Sequence, residues 1–245
     1  MNRRQFVQAS LIAGAASLLR ACGVRIQPTA APTPTAPAPP VASSVPKVLR
    51  NENREGFYIR YIHEFIALDR SLWRLRVEGL VENPMAFDYD TLLSWPSVAL
   101  SMRMKCVDCW SARAKWEGFT YDTLAAIVKP LPQASHIWFE CADGYYEVLS
   151  IEELRNPRVL FVLKMNDALL PDEYGAPLRM MVPWKYGYKS AKAITALRFD
   201  DEGGAGYWSS VGPYTIDGNI LAGVDHPLDT ADTGRMISGG EITDY

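Results

Sequence analysis

Strand-like stretches outnumber helix-like ones and are not interleaved with them, and this imbalance restricts the fold more than any other feature. Ser71–Leu80 sets Trp73, Leu75 and Val77 against Arg74, Arg76 and Glu78 and runs into Gly79, the period-two pattern of a half-buried strand. Ala99–Val107 repeats the pattern, with Leu100, Met102, Met104 and Cys106 on one face and Ser101, Arg103 and Lys105 on the other. Cys106 therefore falls at the inward end of a strand. His136–Cys141 and Tyr145–Leu149 read as a hairpin around Ala142-Asp143-Gly144, and Val159–Met165, Leu178–Pro183 and Ala193–Phe199 as further strands. Helical patterning is confined to Asp90–Leu93, Tyr121–Val128 before Lys129-Pro130-Leu131-Pro132, and Ser150–Glu153, which has a capping-box pattern. A doubly wound parallel sheet needs strand and helix to alternate, so the expected class is α+β. From Asp200 onward the chain is rich in Gly and Asp and is expected to be irregular, packed on the domain surface.

Composition divides the chain. The first 47 of its 245 residues carry five basic groups, no acid and seven of the 17 prolines. The remainder holds 20 basic and 28 acidic residues, a formal charge of −8. Such a body repels phosphate backbones and has no basic run, which argues against nucleic-acid binding. Hydrophobic residues at 48% and aromatics at 11% suffice for a core. The apolar stretches of the body are too short to span a bilayer, and there is no internal repeat.

The N-terminus reads as an address. Asn2-Arg3-Arg4-Gln5-Phe6-Val7 precedes a small-residue apolar run, Ala9–Leu19, and resembles a twin-arginine export signal. That route carries folded proteins, often with a cofactor already inserted, to the periplasm or the outer face of the cytoplasmic membrane. Leu19-Arg20-Ala21-Cys22 has the form of a lipoprotein cleavage box, so Cys22 is either a lipid anchor or removed with the signal. The Pro-Thr-Ala stretch from Gln27 to Pro46 cannot build a core and reads as an extended tether. The expected organisation is a signal at 1–22, a tether at 23–50 and one domain at 51–245.

With Cys22 set aside, the body has Cys106, Cys109 and Cys141, an odd number for an oxidising compartment. Cys106-Val107-Asp108-Cys109 invites a thioredoxin-like or zinc reading. No second Cys-x-x-Cys exists, however, and the three histidines are far apart. Trp110–Arg113 could open the helix a thioredoxin motif requires, but Trp116-Glu117-Gly118 interrupts it. A disulfide between Cys109 and Cys141, leaving Cys106 unpaired, is a further possibility.

Arg103-Met104-Lys105-Cys106-Val107-Asp108-Cys109-Trp110-Ser111 followed by Trp116-Glu117-Gly118 resembles the metal-ligand segment of the sulfite-oxidase family of molybdenum enzymes. The resemblance implies a sulfite-oxidase-type molybdopterin-binding domain of mixed β-sheets or a barrel with short helices, a Mo-molybdopterin cofactor, and Cys106 as the thiolate on molybdenum. Gly175-Ala176-Pro177-Leu178-Arg179 and Pro183-Trp184-Lys185-Tyr186-Gly187-Tyr188-Lys189-Ser190-Ala191-Lys192 are similar to a run in one branch of that family, the bacterial periplasmic methionine-sulfoxide reductase catalytic subunits. The likeness implies that Arg179, Lys189, Ser190, Ala191 and Lys192 hold the pterin and its phosphate. Phe57-Tyr58 matches a pterin-contacting turn of the same branch and implies a cofactor contact for Tyr58. In the tail, Val211-Gly212-Pro213-Tyr214, Val224-Asp225-His226-Pro227 and Ile237-Ser238-Gly239-Gly240 resemble three more of its segments, with an insertion between the first two. His226 is given no catalytic role.

The resemblance further implies transfer of an oxygen atom from a sulfoxide, with methionine sulfoxide in oxidised envelope proteins or small sulfoxides as substrate. It also implies a membrane haem protein drawing on quinol as electron donor. Too few residues follow Lys192 for a C-terminal β-sandwich of about 100 residues, so a single, monomeric catalytic domain is expected. Two alternatives stand beside this reading. One is sulfite oxidation or S- or N-oxide reduction on the same centre, with Arg103, Arg113 and Lys185 available to bind an anion; the other is a non-catalytic envelope binding module.

Overall fold

The computed structural model describes residue 57 and residues 59–107, 110–221, 223–225 and 235–236. Two five-stranded sheets carry the architecture. The first has the order β2-β1-β10-β5-β6, from β1 (Arg74–Gly79), β2 (Met85–Asp88), β5 (His136–Cys141), β6 (Tyr146–Ser150) and β10 (Ile194–Asp200). All its pairings are antiparallel except β1 with β10, where Val77 lies opposite Leu197. The second is wholly antiparallel, in the order β3-β4-β7-β8, from β3 (Val98–Lys105), β4 (Ser111–Phe119), β7 (Leu160–Met165) and β8 (Ala168–Leu169). β9 (Arg179–Met181) also pairs with β7. The short β11 (Val224–Asp225) and β12 (Arg235–Met236) form a separate ribbon. Neither sheet closes into a barrel, and the α+β expectation is met.

Alternation decides which face each strand buries. Leu75 and Val77 of β1, Ile137 and Phe139 of β5, and Leu197 and Phe199 of β10 join Phe119, Phe161, Leu163 and Met180 of the second sheet in one core. Within it Phe119 and Phe161 stack at 4.9 Å between centroids, a pair worth about 1 kcal/mol beyond its buried area. The opposite face of the second sheet is covered too, because Met102, Met104, Trp116, Val162 and Met181 pack with Phe57 in a second core. β7 is therefore buried on both faces and reads as a nearly continuous apolar run, Leu160-Phe161-Val162-Leu163.

The helices are short and locally specified. α1 (Tyr89–Leu93) starts at Asp88, whose carboxylate accepts from the Thr91 amide. α2 (Tyr121–Val128) buries Tyr121, Leu124 and Val128 at helical spacing and ends on Lys129 in the left-handed region. α3 (Ile151–Leu154) carries the capping box of Ser150 and Glu153. α4 (Tyr207–Val211) follows Gly206 in the otherwise irregular tail. Among the described residues no helix is long and apolar enough to cross a membrane.

Two expectations change. Ser111–Phe119 is one nine-residue strand rather than a broken helix: Ala114 and Trp116 point inward at period two, and Gly118 sits at a bulge where a Cβ would lie 1.9 Å from the Phe161 carbonyl oxygen. The Arg103 and Lys105 face of β3 is not solvated either. Both side chains are buried, and at Lys105 the chain at Tyr186 pairs in parallel with the end of the strand.

Candidate active site

Two strand ends and one turn meet at a single cavity. β3 delivers Cys106 just past its last paired residue, in the connection to β4, where the Cys106 amide donates to the Trp110 carbonyl at 2.9 Å. β9 delivers Arg179. The turn that follows β9 delivers Ser190, Ala191 and Lys192, and all five line the same cavity. That turn is folded back on β9, with the Met180 amide donating to Ala191 O at 2.8 Å and the Ala193 amide to Gly175 O at 2.9 Å. The Ser190 hydroxyl accepts from the Val182 amide at 3.2 Å. Gly175 has φ 102°, and a Cβ there would lie 2.6 Å from Lys192 Cβ, so the Gly of Gly-Ala-Pro is what lets Lys192 pass beside it.

Two cations here lack the partner that buried cations normally have. Arg179 is 3% exposed. Its guanidinium donates to Tyr174 O at 2.9 Å, Met180 O at 3.3 Å and Met104 Sδ at 3.6 Å, and lies 5.0 Å over the Trp116 ring. Burial lowers its pKa to about 10. Lys192, half-buried, donates to Arg60 O at 2.5 Å with its ammonium 3.7 Å from the Tyr61 ring centroid. Burial first, then the Arg179 charge, lowers Lys192 to about 7. Among the described residues neither cation is salt-bridged to a carboxylate. Two cations in one cavity, neither of them ion-paired to a carboxylate among the described residues, describe an anion site.

A strap closes one side. Phe57 packs edge-on against Trp110, Trp116 and Tyr174 at 5.9, 5.3 and 5.9 Å. The Tyr61 hydroxyl lies within hydrogen-bond reach of both Asp172 O and Glu173 O, at 3.2 and 3.1 Å, and burial pushes this phenol up. The Asp143 carboxylate, in the β5–β6 turn, accepts from the Ile62 and Tyr145 amides. The lining also includes the partly exposed rings of Tyr188, Trp208 and Tyr214.

Of the residues expected to bind cofactor, Lys189 is placed otherwise. Its ammonium is turned inward to Glu147 Oε1 at 2.5 Å, Val148 O at 3.0 Å and Ile216 O at 2.9 Å, and it does not line the cavity. Burial raises the pKa of Glu147, with Lys189 opposing that rise. Tyr58, Cys109, His226 and Cys22 lie outside the described residues, while Cys141 is a free, buried thiol whose pKa burial raises. None of Arg103, Arg113 and Lys185, the cations considered for sulfite, lines the cavity; Lys185 is salt-bridged to Glu153 at 2.6 Å. Tyr61, Asp143, Tyr145 and Trp208 were not foreseen as lining residues. Ala142-Asp143-Gly144 was legible as a turn, but nothing local says which cavity a turn faces.

Comparison with known proteins is decisive for class. The model of the oxidoreductase molybdopterin-binding domain matches residues 63–208. The chain belongs to this family. It is 33% identical to the protein-methionine-sulfoxide reductase catalytic subunit MsrP of Burkholderia mallei, over 96% of this chain and 81% of that one. It is 35% identical to the MsrP of Gluconobacter oxydans and 36% identical to that of Ralstonia nicotianae, spanning 61% and 55% of their lengths and aligning over 69% and 67% of its own. Among solved structures, the sulfane dehydrogenase SoxCD of Paracoccus pantotrophus superposes with a TM-score of 0.56 at 21% identity, covering 63% of this chain and 45% of that one. That likeness speaks for the fold, a sulfite-oxidase-like molybdopterin domain.

As a member of the family the protein is an oxidoreductase whose cofactor is Mo-molybdopterin. The cavity fits this group. The Cys106 thiol is a soft donor of the kind that suits molybdenum. Arg179 and Lys192 supply the charge its phosphate needs.

Proposed function

We propose that the protein is an extracytoplasmic molybdenum-dependent reductase of methionine sulfoxide in proteins, with Cys106 on the metal and Arg179, Ser190, Ala191 and Lys192 around the pterin and its phosphate. The observation that carries this is the convergence of one thiol and two cations, neither ion-paired among the described residues, on a single cavity. When bound, the cofactor supplies two-electron oxygen-atom chemistry. The chain's own groups position it. Arg179 is held by Tyr174 O and by Trp116 so that its remaining donors are oriented before the phosphate arrives, and Lys192 is fixed by Arg60 O.

The choice of sulfoxide over sulfite rests on the cavity wall and on the relatives named for methionine-sulfoxide reduction. A sulfite dianion is bound by several cations, and with Arg179 and Lys192 assigned to the phosphate the lining leaves Arg60, whereas it also offers the rings of Tyr188, Trp208 and Tyr214. A thioether or sulfoxide packs well against such rings. Export by the twin-arginine signal at 1–22, a tether at 23–50 anchored or not through Cys22, and a membrane haem protein linked to quinol as electron donor complete the reading. Those segments lie outside the described residues.

The test is reduction of the purified holoprotein with an artificial donor, followed by addition of methionine sulfoxide or, to the oxidised protein, sulfite. Reoxidation by sulfoxide with no reduction by sulfite is expected. The reverse pattern would overturn the proposal.

A further inference from the structure

Part of the cavity is lined by chain that belongs to neither sheet. Residues 59–69 form no helix or strand, yet Ile59, Arg60, Tyr61 and Ile62 all line the cavity. These four also precede residue 63, where the match to the family's domain model begins. A segment without ladder bonds is held by what its side chains and amides reach. Its neutral bonds here are long or shared. The Ile62 amide reaches Asp143 Oδ2 at 3.4 Å, and the one Tyr61 hydroxyl proton is divided between Asp172 O and Glu173 O, at 3.2 and 3.1 Å. The charged attachment is short. Lys192 Nζ donates to Arg60 O at 2.5 Å and sits 3.7 Å from the centroid of the Tyr61 ring.

The same ammonium belongs to the anion site, since Lys192 lines the cavity with Arg179. An ammonium has three hydrogens, so an anion in the cavity can take one while Arg60 O keeps another. What the anion changes is the charge. Arg179 of β9 disfavours the Lys192 cation, whereas Asp143 of the β5–β6 turn, Cys141 of β5 and Cys106 beyond β3 favour it, and burial outweighs them all, leaving Lys192 at about 7 in the empty cavity. At neutral pH the empty protein therefore holds a neutral amine for part of the time. Such an amine has no cation to offer the Tyr61 face and donates only weakly to Arg60 O. A bound dianion keeps the ammonium, and with it both grips on the strap.

We infer that the strap from Ile59 to Ile62 is a latch closed by the cofactor's phosphate through Lys192, with Tyr61 as the positioning residue that couples the anion site to the strap. The inference concerns capture of the cofactor and does not depend on which substrate is reduced. Coupling of this kind is reciprocal: the factor by which phosphate favours the closed strap is the factor by which the closed strap favours phosphate.

The experiment reads amide hydrogen exchange by mass spectrometry over residues 59–66 of the full chain made without cofactor. It is run at about pH 8, above the Lys192 value, with and without inorganic phosphate, and calorimetry reports the phosphate bound. Saturating phosphate is expected to slow exchange in the strap about tenfold, and to slow α2 (Tyr121–Val128) clearly less. Tyr61→Leu removes the ring beside the ammonium. It is expected to cut the protection to about threefold and to weaken phosphate binding by the factor lost, again about threefold. Tyr61→Phe keeps the ring and is expected to retain both within about twofold, although its strap exchanges faster throughout. In the loaded protein, molybdenum and pterin should leave Tyr61→Leu about threefold faster than wild type, with Tyr61→Phe near the wild-type rate. Equal protection in wild type and Tyr61→Leu overturns the coupling. Phosphate that binds without slowing the strap, or fails to bind at all, overturns the latch. Equal release of pterin from wild type and Tyr61→Leu overturns its closure on the cofactor.

Discussion

Replacing Arg179 by Met separates two quantities that a structural arginine would keep together. Holding the guanidinium in a site that lowers its pKa from 12.5 to about 10 costs the cofactor-free fold roughly 3 kcal/mol. Against this stand one well-formed charged hydrogen bond, to Tyr174 O at 2.9 Å and worth about 2 kcal/mol, and the contact over Trp116, worth about 1 kcal/mol. The bonds to Met180 O and Met104 Sδ are long. Cost and gain nearly cancel, so the empty protein should be indifferent to the change within about 1 kcal/mol, a Tm shift of roughly 2–4 °C for a domain of this size. Methionine keeps the packing of the stem. The loaded protein should not be indifferent, because each charge-assisted bond to a phosphate oxygen is worth about 1.5–3 kcal/mol and cofactor affinity falls by about tenfold or more per bond. Thermal unfolding of protein made without cofactor, beside molybdenum and pterin content of protein made with it, reads both numbers. A fall in Tm of about 10 °C in the empty variant, or full pterin content in the loaded one, refutes the reasoning.

Cys106→Ser should leave the fold within about 1 kcal/mol of wild type, since the residue is half-buried and nearly isosteric, while molybdenum content and turnover are lost; full molybdenum and activity in that variant would remove Cys106 as the ligand. Lys192 titrates at about 7 in the empty protein and at its ordinary 10.5 when unfolded, and a bound anion raises it from the folded value. Affinity of the cofactor-free protein for sulfate, an anion of constant charge, should therefore be flat below pH 7 and fall toward tenfold per pH unit above it, with proton uptake on binding. Calorimetric titration in buffers of different ionisation heat reads this, and an affinity constant from pH 6 to 9 contradicts it. Gly175→Ala should destabilise by about 1–3 kcal/mol in urea unfolding and lower cofactor content, because φ 102° and the 2.6 Å approach of Lys192 Cβ leave no room for a methyl group.

What was legible in the sequence followed locality. α2 at Tyr121–Val128 and the Ser150–Glu153 capping box are set by spacing within a few residues, and both stand where the pattern placed them. Cys106, Arg179, Ser190, Ala191 and Lys192 were legible because they sit in two short motifs that the fold brings to one cavity. Lys189 was misread for the complementary reason. Three lysines within eight residues look equivalent until Glu147 and Glu153, far away in sequence, capture two of them and only Lys192 is left for the cavity. The burial of Lys105 is not legible locally because the segment that pairs with it comes from Tyr186, far along the chain. β4 is different: its alternation through Ala112, Ala114 and Trp116 is present in the sequence, beside a Cys-x-x-Cys spacing that in other folds opens a helix.

The strap has a mechanical consequence. Phe57 sits between Trp110 and Tyr174 of the cavity lining and Trp116 of β4, so one ring ties the rim of the cavity to the second sheet. A displacement of that ring is therefore passed at the same moment to the rim of the cavity and to the sheet behind it.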